Sequence, residues 1–250
     1  MARPKKSSLV ALASSSVVRT ARFDRPVPIG VSTGHPAITA GTICCRVKDS
    51  DGNVYALSNN HVYADENQAH IGDNVLQPGP ADGGTEGPNP LILDGDEIGT
   101  LADFEPILFS TSANNMIDAA IALSSASLLG NATPSDGYGT PKSATLLAAI
   151  GLRVKKYGRT TGLTRGRVYA INATVNVGYD TGMARFVGQI VITRGSFSAP
   201  GDSGSLVVVN GGANNRKAVG LLFASSSSVT IANPIGAVLG AFGVSVDGPQ

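Results

Sequence analysis

The chain is built from short β-type segments interrupted at close intervals by turn residues, and this pattern constrains its fold more than any other feature. Segments 42–48 and 54–58 flank an Asp-Gly pair, which is typical of a β-hairpin turn. The 31 glycines and 14 prolines supply the other breaks. Short strands with frequent turns favour an all-β fold over a helical one. The further predicted strands cover 98–107, 116–123, 152–157, 167–177, 185–193, 206–209 and 219–224.

These segments form two groups of similar size, separated by a stretch rich in Ser, Gly and Pro over residues 124–142. We predict a short C-terminal helix over 233–242, with Asn233 as its N-cap and Pro234 at its first helical position. The chain then divides into a flexible N-terminal tail, a first β-unit, a connection and a second β-unit with the helix. Their predicted bounds are 1–28, 29–128, 129–144 and 145–250.

The charge balance argues against several classes of partner. The formal net charge is +1 and only 15% of residues are charged, so we expect neither a nucleic-acid partner nor an anionic membrane. No apolar run approaches the ~20 residues that a membrane-spanning helix needs. The apolar stretch 9–13 is short, and we interpret residues 1–16 as a disordered leader rather than an export signal. The sequence leaves the oligomeric state open.

Cys44 and Cys45, the two cysteines of the chain, are sequence neighbours, and neighbouring residues of a strand point to opposite faces. A disulfide between them is therefore not expected. Without disulfides or a convincing signal peptide, we predict a cytoplasmic protein, with secretion as the alternative. The acid-rich stretch 77–97 does not match the spacing of a calcium-binding EF-hand, so we interpret it as a solvated loop. We predict neither a metal nor a cofactor.

The most informative local motif is Gly201-Asp202-Ser203-Gly204, which places a serine in a glycine-flanked turn before the apolar run 206–209. Glycines permit positive φ angles and a close approach of another molecule. Such a turn can aim the N–H groups of Gly201 and Ser203 at one point, as an oxyanion hole requires. A polar hairpin turn is the alternative interpretation of the same four residues.

Two further residues can complete the chemistry of a nucleophilic serine. His61 follows a β-type segment, where its side chain can face a cleft, whereas His35 and His70 lie in loops. Asp118 interrupts the apolar run 116–122, and a buried carboxylate is costly unless donors satisfy it. An imidazole N–H is one such donor, and a structural cap is the alternative. In this hypothesis Ser203 attacks a carbonyl, His61 transfers its proton and Asp118 orients the imidazole.

Segments 57–62, 117–121 and 201–205 resemble the three signature segments of the trypsin/chymotrypsin-like serine proteases. Gly-Arg-Thr-Thr-Gly at 158–162 is similar to a segment of the bacterial α-lytic protease branch. Segments 58–61 and 232–235 are similar to bacterial proteins related to the plant narrow-leaf protease. The departures from the family pattern are an Asn-Asn pair before the histidine and the absence of the family's disulfides.

The resemblance covers residues from about 29 to 245 and implies two six-stranded antiparallel barrels, with the triad in the cleft between them. It also implies a serine endopeptidase that acts on protein or peptide substrates through an acyl-enzyme. A catalytically silent binding module with a protease fold is the alternative. An esterase of another fold is disfavoured, because Ser205 stands where the Gly-x-Ser-x-Gly motif has its second glycine.

The same resemblance implies a substrate pocket with Phe197 at its base, Ser198 beside it, and Phe223 and Ser225 in its wall. No acid is at hand in these segments to pair with a lysine or arginine of the substrate, so cleavage like that of trypsin is disfavoured. We expect small or medium-sized apolar residues before the cleaved bond.

Asp202 lies beside the proposed nucleophile in a turn that we expect to be buried, so its charge needs a partner. The resemblance to the α-lytic branch assigns this role to Arg159, whose guanidinium can bind a carboxylate through two hydrogen bonds. In the trypsin branch the partner is a new N-terminus made by cleavage, and here Ile29 could supply one. We predict the Asp202–Arg159 pair, which requires no processing of the chain.

Overall fold

The computed structural model describes residues 17–88, 95–193 and 196–250. In the first half of the chain these ranges form strands β1 (Ser32–Thr33), β2 (Gly41–Thr42), β3 (Cys45–Lys48), β4 (Val54–Ser58), β5 (Asn74–Leu76), β6 (Glu97–Phe104) and β7 (Ala120–Ser124), with helix α1 (Asn60–Tyr63) and 3₁₀ turns at Asp65–Asn67 and Pro80–Asp82. The second half forms β8 (Lys142–Thr145), β9 (Arg153–Gly158), β10 (Gly162–Gly178), β11 (Met183–Thr193), β12 (Leu206–Val209), β13 (Lys217–Ser225), β14 (Val229–Pro234), helix α2 (Ile235–Phe242) and β15 (Ser245–Val246).

The first sheet has six antiparallel strands in the order β15, β3, β4, β7, β6, β5. β4 and β7 lie at its centre, and their paired residues Leu57 and Ile121 belong to the main hydrophobic core. The end of β4 and the start of β7 lie side by side, because Ser58 pairs with Ala120. This register brings the residues that follow β4 close to those that precede β7.

The second sheet runs in the order β12, β9, β10, β11, β14, β13, and a further pairing of β12 with β13 joins its two ends. Six antiparallel strands thus close into a ring, and β8 adds to β13 in parallel. The all-β fold with two six-stranded units and a C-terminal helix, predicted from the sequence, is confirmed. Register shifts within the long hairpin of β10 and β11 allow these strands to bend.

Helix α2 begins at Ile235 with Pro234 as its N-cap, so both positions lie one residue later than predicted, and the cap makes no side-chain hydrogen bond. Asn233 does not cap the helix, because its side chain is used in the candidate site described below. The buried residues of α2 are Ile235, Val238 and Leu239, and they join the main hydrophobic core, to which both sheets contribute. β15 then pairs with β3. The last strand, predicted within the second unit, is therefore part of the first sheet.

Residues 17–28 are packed against the body of the protein rather than flexible as predicted. Arg22 forms an ion pair with the buried carboxylate of Asp96. Val27 is fully buried and bridges to Leu129. Arg19 donates to the carbonyl of Arg159 over 3.2 Å. The buried side chain of Val27 and the guanidinium groups of Arg19 and Arg22 hold this segment in place. The predicted leader at 1–16 lies outside the described residues.

The acid-rich stretch 77–97, interpreted from the sequence as a solvated loop, is tied to the protein through three of its acids. Asp96 pairs with Arg22, and Asp82 pairs with Arg159. Glu86 accepts the side-chain amide of Asn74 over 2.8 Å. Residues 89–94 lie outside the described part of this stretch. Across residues 17–88, 95–193 and 196–250, no group of three His, Cys, Asp or Glu side chains is arranged to hold a metal ion.

Cys44 and Cys45 are both buried, and both thiols are free. Burial raises the pKa of the Cys44 thiol well above its ordinary value, which keeps it protonated and unreactive. In the described parts of the chain, no helix has the length and apolar character needed to cross a membrane.

Candidate active site

His61 lies in the short helix α1, directly after the central strand β4. Its Nδ1–H donates to Oδ2 of Asp118 over 2.6 Å, and its backbone N–H reaches Oδ1 of the same carboxylate at 3.3 Å. The two contacts orient the imidazole. The other ring nitrogen, Nε2, makes no hydrogen bond within the described part of the chain, so it remains available to a substrate or a nucleophile.

Asp118 is fully buried just before β7, where a carboxylate without partners would be costly. In addition to His61, the Tyr179 hydroxyl donates to Oδ2 over 2.8 Å. Asn59 donates its side-chain amide to the Asp118 carbonyl at 2.8 Å, and the Asn233 side-chain oxygen accepts the Asp118 N–H at 3.1 Å. Both the carboxylate and the backbone of Asp118 are thus held in place.

Sequence reasoning missed Tyr179, Asn59 and Asn233 as parts of this site. Asn59 and Asn233 are both fully buried, and buried side-chain amides are expected to have hydrogen-bond partners. Their positions at the ends of apolar strands therefore indicate buried amides that need hydrogen-bond partners, and this pattern could have identified them from the sequence. Tyr179 carried no such signal, because its partner is 61 positions away in the sequence. It lies at the tip of the β10–β11 hairpin, which reaches from the second sheet to the first.

The environment of His61 favours its charged form. Burial opposes the imidazolium and lowers the pKa of His61, whereas the charge and hydrogen bond of Asp118, and the charge of Glu66, raise it. The carboxylates prevail, so the pKa of His61 lies above its ordinary value of 6.5. Burial and the charge of Asp118 raise the pKa of Tyr179 well above its ordinary value, so this phenol remains a donor.

A tight turn presents Ser203, and two glycines make the turn possible. Gly201 and Gly204 have φ angles of 91° and 94°, in the left-handed region that favours glycine. A Cβ atom on Gly204 would lie 2.0 Å from the Thr42 carbonyl oxygen, so no side chain fits there. Thr42 fixes the turn further, because its N–H donates to the Ser203 carbonyl over 2.7 Å and its hydroxyl donates to the Gly201 carbonyl over 2.8 Å.

The N–H groups of Gly201 and Ser203 have no acceptor within residues 17–88, 95–193 and 196–250, which leaves both free for a ligand oxygen. The Ser203 hydroxyl contacts the Phe223 carbonyl at 3.4 Å, at the long limit for a hydrogen bond. In the same ranges, no hydrogen bond joins Ser203 to His61.

His61 and Ser203 line the same cleft, which has a volume of about 380 Å³. His61 comes from the first sheet, whereas Ser203 and the β10–β11 hairpin come from the second. Phe223 and Ser225, predicted in the substrate pocket, are also in its lining. The other lining residues are Glu66, Val177, Gly178, Tyr179, Asp180 and Ala224. We refer to this space as the cleft.

The structure places Phe197 and Ser198 elsewhere than predicted. Phe197 is fully buried in the core within the second sheet, and a Cβ atom on Gly166 would lie 2.9 Å from its ring. The Ser198 hydroxyl forms a 2.5 Å hydrogen bond with Thr230. Neither residue lines the cleft. Burying a phenyl ring completely in a barrel core stabilises the folded protein more than leaving it partly exposed in an open pocket. This difference explains the position of Phe197.

The cleft also contains acids, contrary to the expectation of an acid-free pocket. Glu66 accepts the backbone N–H groups of Asp180 and Thr181 over 3.1 and 2.7 Å, which ties the hairpin tip to the first sheet. On the side of His61, Glu66 and Asp180, the cleft borders a groove that also contains Asp65. On the side of Ala224 and Ser225 it borders a groove lined mainly by apolar and small residues.

The predicted ion pair between Asp202 and Arg159 is wrong, because Lys156 is the partner of Asp202. The Lys156 Nζ lies 3.2 Å from Asp202 Oδ2, and both side chains are fully buried. The Asp202 carboxylate also accepts the backbone N–H groups of Thr160 and Thr161 over 2.9 and 3.2 Å. Lys156 projects inward from β9, whereas Arg159 follows the end of that strand and pairs with Asp82 through bonds of 2.6 and 2.7 Å.

The alternative partner, a new N-terminus at Ile29, is not at hand in this structure. Ile29 and Val31 are fully buried, and the Ile29 N–H donates to the carbonyl of Ala132 over 3.1 Å. The intact chain therefore satisfies Asp202 through Lys156, a residue within the chain itself.

Comparison with solved structures decides the fold. Nocardiopsis protease (NAPase) is 17% identical and matches 88% of this chain and 98% of its own, with a TM-score of 0.60. Thermobifida fusca protease A is 18% identical and matches 89% of this chain and 98% of its own, also with a TM-score of 0.60. The chain has the fold of the bacterial trypsin/chymotrypsin-like serine proteases. The Cellulomonas bogoriensis chymotrypsin has a similar fold. It is 21% identical and matches 90% of this chain and 98% of its own, with a TM-score of 0.56.

The family model described as the Nal1 C-terminal domain matches residues 121–233. This range includes Tyr179, Ser203 and Asn233 of the protease fold, and it is compatible with the similarity to narrow-leaf-type proteins. No curated protein matches the chain.

Proposed function

We propose that the protein is a serine endopeptidase that uses Ser203, His61 and Asp118 as a catalytic triad. The observation that carries the proposal is the 2.6 Å bond from His61 to a fully buried Asp118, in a cleft that Ser203 also lines. The three residues come from segments that are distant in sequence, and the serine protease fold of the chain supports the proposal.

In the first step the Ser203 Oγ attacks the carbonyl carbon of the substrate, and its proton passes to Nε2 of His61. The tetrahedral intermediate collapses, the C–N bond breaks, and the imidazolium gives its proton to the leaving amine. Water then attacks the acyl-enzyme ester with the same help from His61. The raised pKa of His61 suits both tasks, since Asp118 stabilises the imidazolium that forms in each half-reaction.

The oxyanion of each intermediate would accept from the N–H groups of Gly201 and Ser203. Both donors are free in the described residues, and Thr42 fixes the turn through the carbonyl groups of the same two residues. Donors that are already oriented need no rearrangement during the reaction. Removal of one such donor lowers kcat about 10²- to 10³-fold. Because Lys156 already neutralises Asp202, this turn forms without cleavage of the chain.

A peptide substrate has an obvious place to bind. β13 pairs with β14 along residues 220–225, but its other edge pairs with β12 and β8 only as far as residue 221. The free edge at 223–225 lines the cleft, so an extended peptide can add to it as another strand. We infer that the substrate is a protein or peptide with a small or medium-sized apolar residue before the cleaved bond.

One observation favours the alternative, a protease-fold module that binds a peptide without cutting it. The Ser203 hydroxyl contacts the Phe223 carbonyl rather than His61. Catalytic hydrogen bonds often tighten only when a substrate is present, so this contact does not exclude the triad. The endopeptidase remains the proposal, since a binding module has no need of the buried Asp118–His61 pair.

Hydrolysis of an unstructured protein such as casein, followed by mass spectrometry of the fragments, tests the proposal. Ser203→Ala, His61→Ala and Asp118→Ala should each remove most of the turnover, and double variants should lose no more than the worst single variant. His70→Ala is the matched control, because His70 is exposed and does not line the cleft. An active His61→Ala protein would contradict the assignment. A folded, inactive wild type that binds peptides would support the binding module.

A further inference from the structure

Outside the cleft, the outer face of strands β9 and β10 carries four cationic side chains in two directly opposed pairs. Arg153 is the partner of Arg167, and Lys155 is the partner of Arg165. The residues between them point the other way, because Val154 lies in the core within the second sheet. All four cations therefore share the outer surface.

This arrangement is unfavourable for the sheet itself. Like charges directly opposite each other on neighbouring strands destabilise the pairing. In the described parts of the chain, none of the four forms an ion pair with a carboxylate. Burial, together with the charges of Arg165 and Arg216, lowers the pKa of Lys155. Repulsion of this kind is relieved when an anion binds.

Three of the four cations line a concave space, and Lys155 does not. A cavity of about 310 Å³ is lined by Arg153, Arg165, Arg167, Thr193 and Asn210, together with Gly166. It shares no residue with the cleft. Three guanidinium groups, a hydroxyl and an amide supply many donors, and of these guanidinium groups only that of Arg167 donates within the described residues, to the Gly151 carbonyl at 3.3 Å. The volume corresponds to a small ligand rather than to a single ion.

We propose that this cavity is a binding site for a small phosphate-bearing anion. A planar guanidinium binds phosphate oxygens through two parallel hydrogen bonds, and three such groups around one space favour a ligand with several negative oxygens. A nucleic acid is a poorer match, because it requires an extended basic surface, whereas this chain has a net charge of only +1. The site is independent of the cleft, so the proposal does not rest on the endopeptidase activity.

Isothermal titration of the full chain with sodium tripolyphosphate at physiological ionic strength tests the site. We expect saturable binding with one site per chain and weaker binding of inorganic phosphate. Arg153→Gln/Arg165→Gln should weaken tripolyphosphate binding at least tenfold, whereas Arg22→Gln should not change it. Arg22→Gln removes one charge of the same kind, from a guanidinium that pairs with Asp96 and does not line the cavity.

Thermal unfolding gives a second, independent result. In phosphate-free buffer the double variant should have a higher Tm than the wild type, because two opposed cation pairs have been removed, and tripolyphosphate should raise only the wild-type Tm. Absence of saturable binding, or equal binding by the double variant and Arg22→Gln, would overturn the proposal. So would citrate binding as tightly as tripolyphosphate, or a twelve-nucleotide DNA strand binding where tripolyphosphate does not.

Discussion

The Tyr179 hydroxyl and the His61 imidazole bind the same oxygen atom, Oδ2 of Asp118, at 2.8 and 2.6 Å. Tyr179 belongs to the tip of a hairpin in the second sheet, whereas Asp118 and His61 belong to the first. Asp118 thus joins the two halves of the protein at the point where the proposed chemistry occurs. A second link, from Glu66 to the N–H groups of Asp180 and Thr181, holds the same hairpin tip.

Tyr179→Phe should lower kcat/KM about tenfold or more, with most of the loss in kcat. A hydrogen bond to a charged group contributes about 1.5–3 kcal/mol, and the Phe variant loses the one that fixes the Asp118 carboxylate. Steady-state kinetics on a peptide substrate measures the effect. Tyr55→Phe is the control, since it removes a 3.0 Å bond to the aspartate of a distant turn, Asp49. Equal activity of the two variants would show that Tyr179 does not position Asp118.

The pH profile should carry the signature of Glu66. His61 must be neutral to accept the Ser203 proton, so activity should rise with pH through the pKa of His61, which lies above 6.5. The charge of Glu66 contributes to that elevation. Glu66→Gln removes a negative charge that stabilises the imidazolium, so the acidic limb of kcat/KM should move to lower pH.

Asp51→Asn supplies the control for this shift, because Asp51 is an exposed residue of the β3–β4 turn. Its profile should coincide with that of the wild type. A Glu66→Gln limb that stayed in place, or moved to higher pH, would contradict the electrostatic account of His61.

Lys156→Met should destabilise the protein by about 3 kcal/mol or more, because it leaves the buried Asp202 without its cation. Arg159→Gln should cost less than Lys156→Met, since the side chains of Arg159 and Asp82 keep 19% and 9% of their surface exposed, whereas those of Lys156 and Asp202 are fully buried. Urea unfolding followed by circular dichroism measures both. Asp202→Asn added to Lys156→Met should recover part of the loss. A larger cost for Arg159→Gln than for Lys156→Met would restore the pairing predicted from the sequence.

Cleavage should occur after small or medium-sized apolar residues, and a peptide library analysed by mass spectrometry reads this directly. Val177, Phe223 and Ala224 supply apolar lining to the cleft, and β13 has its free edge at 223–225. Ala224→Asp should introduce cleavage after Arg or Lys by placing a carboxylate there. Efficient cleavage after Arg in the wild type, with none after Ala, Val or Leu, would contradict this specificity.

The fold could be predicted from the sequence because its signals are local. Short apolar runs between turns of Gly, Asn and Asp indicate the strands. The glycines at 201 and 204 predict a turn with positive φ angles, and both residues have such angles in the structure. Asp118 was conspicuous for a physical reason, since a carboxylate in an apolar strand needs donors. The structure supplies those donors as His61 and Tyr179.

The parts that could not be predicted depend on contacts between distant segments. Lys156 and Arg159 are three residues apart, and only the closed second sheet decides which of them points inward to Asp202. The family resemblance predicts Phe197 at the base of the pocket, whereas its ring packs inside the second barrel. Asn233 fits the pattern of a helix N-cap equally well, and its role at Asp118 arises from packing of the second sheet against the first.

Labelling with a fluorophosphonate probe tests the central claim most directly, because only an activated serine attacks the phosphorus atom. The account predicts rapid covalent labelling of the intact chain at Ser203, located by peptide mass spectrometry, and no labelling of folded Ser203→Ala or His61→Ala. Ser205→Ala, which changes a buried neighbouring serine, should still be labelled. A folded wild type that takes up no probe, or labelling that persists in Ser203→Ala, would contradict the assignment of a catalytic triad.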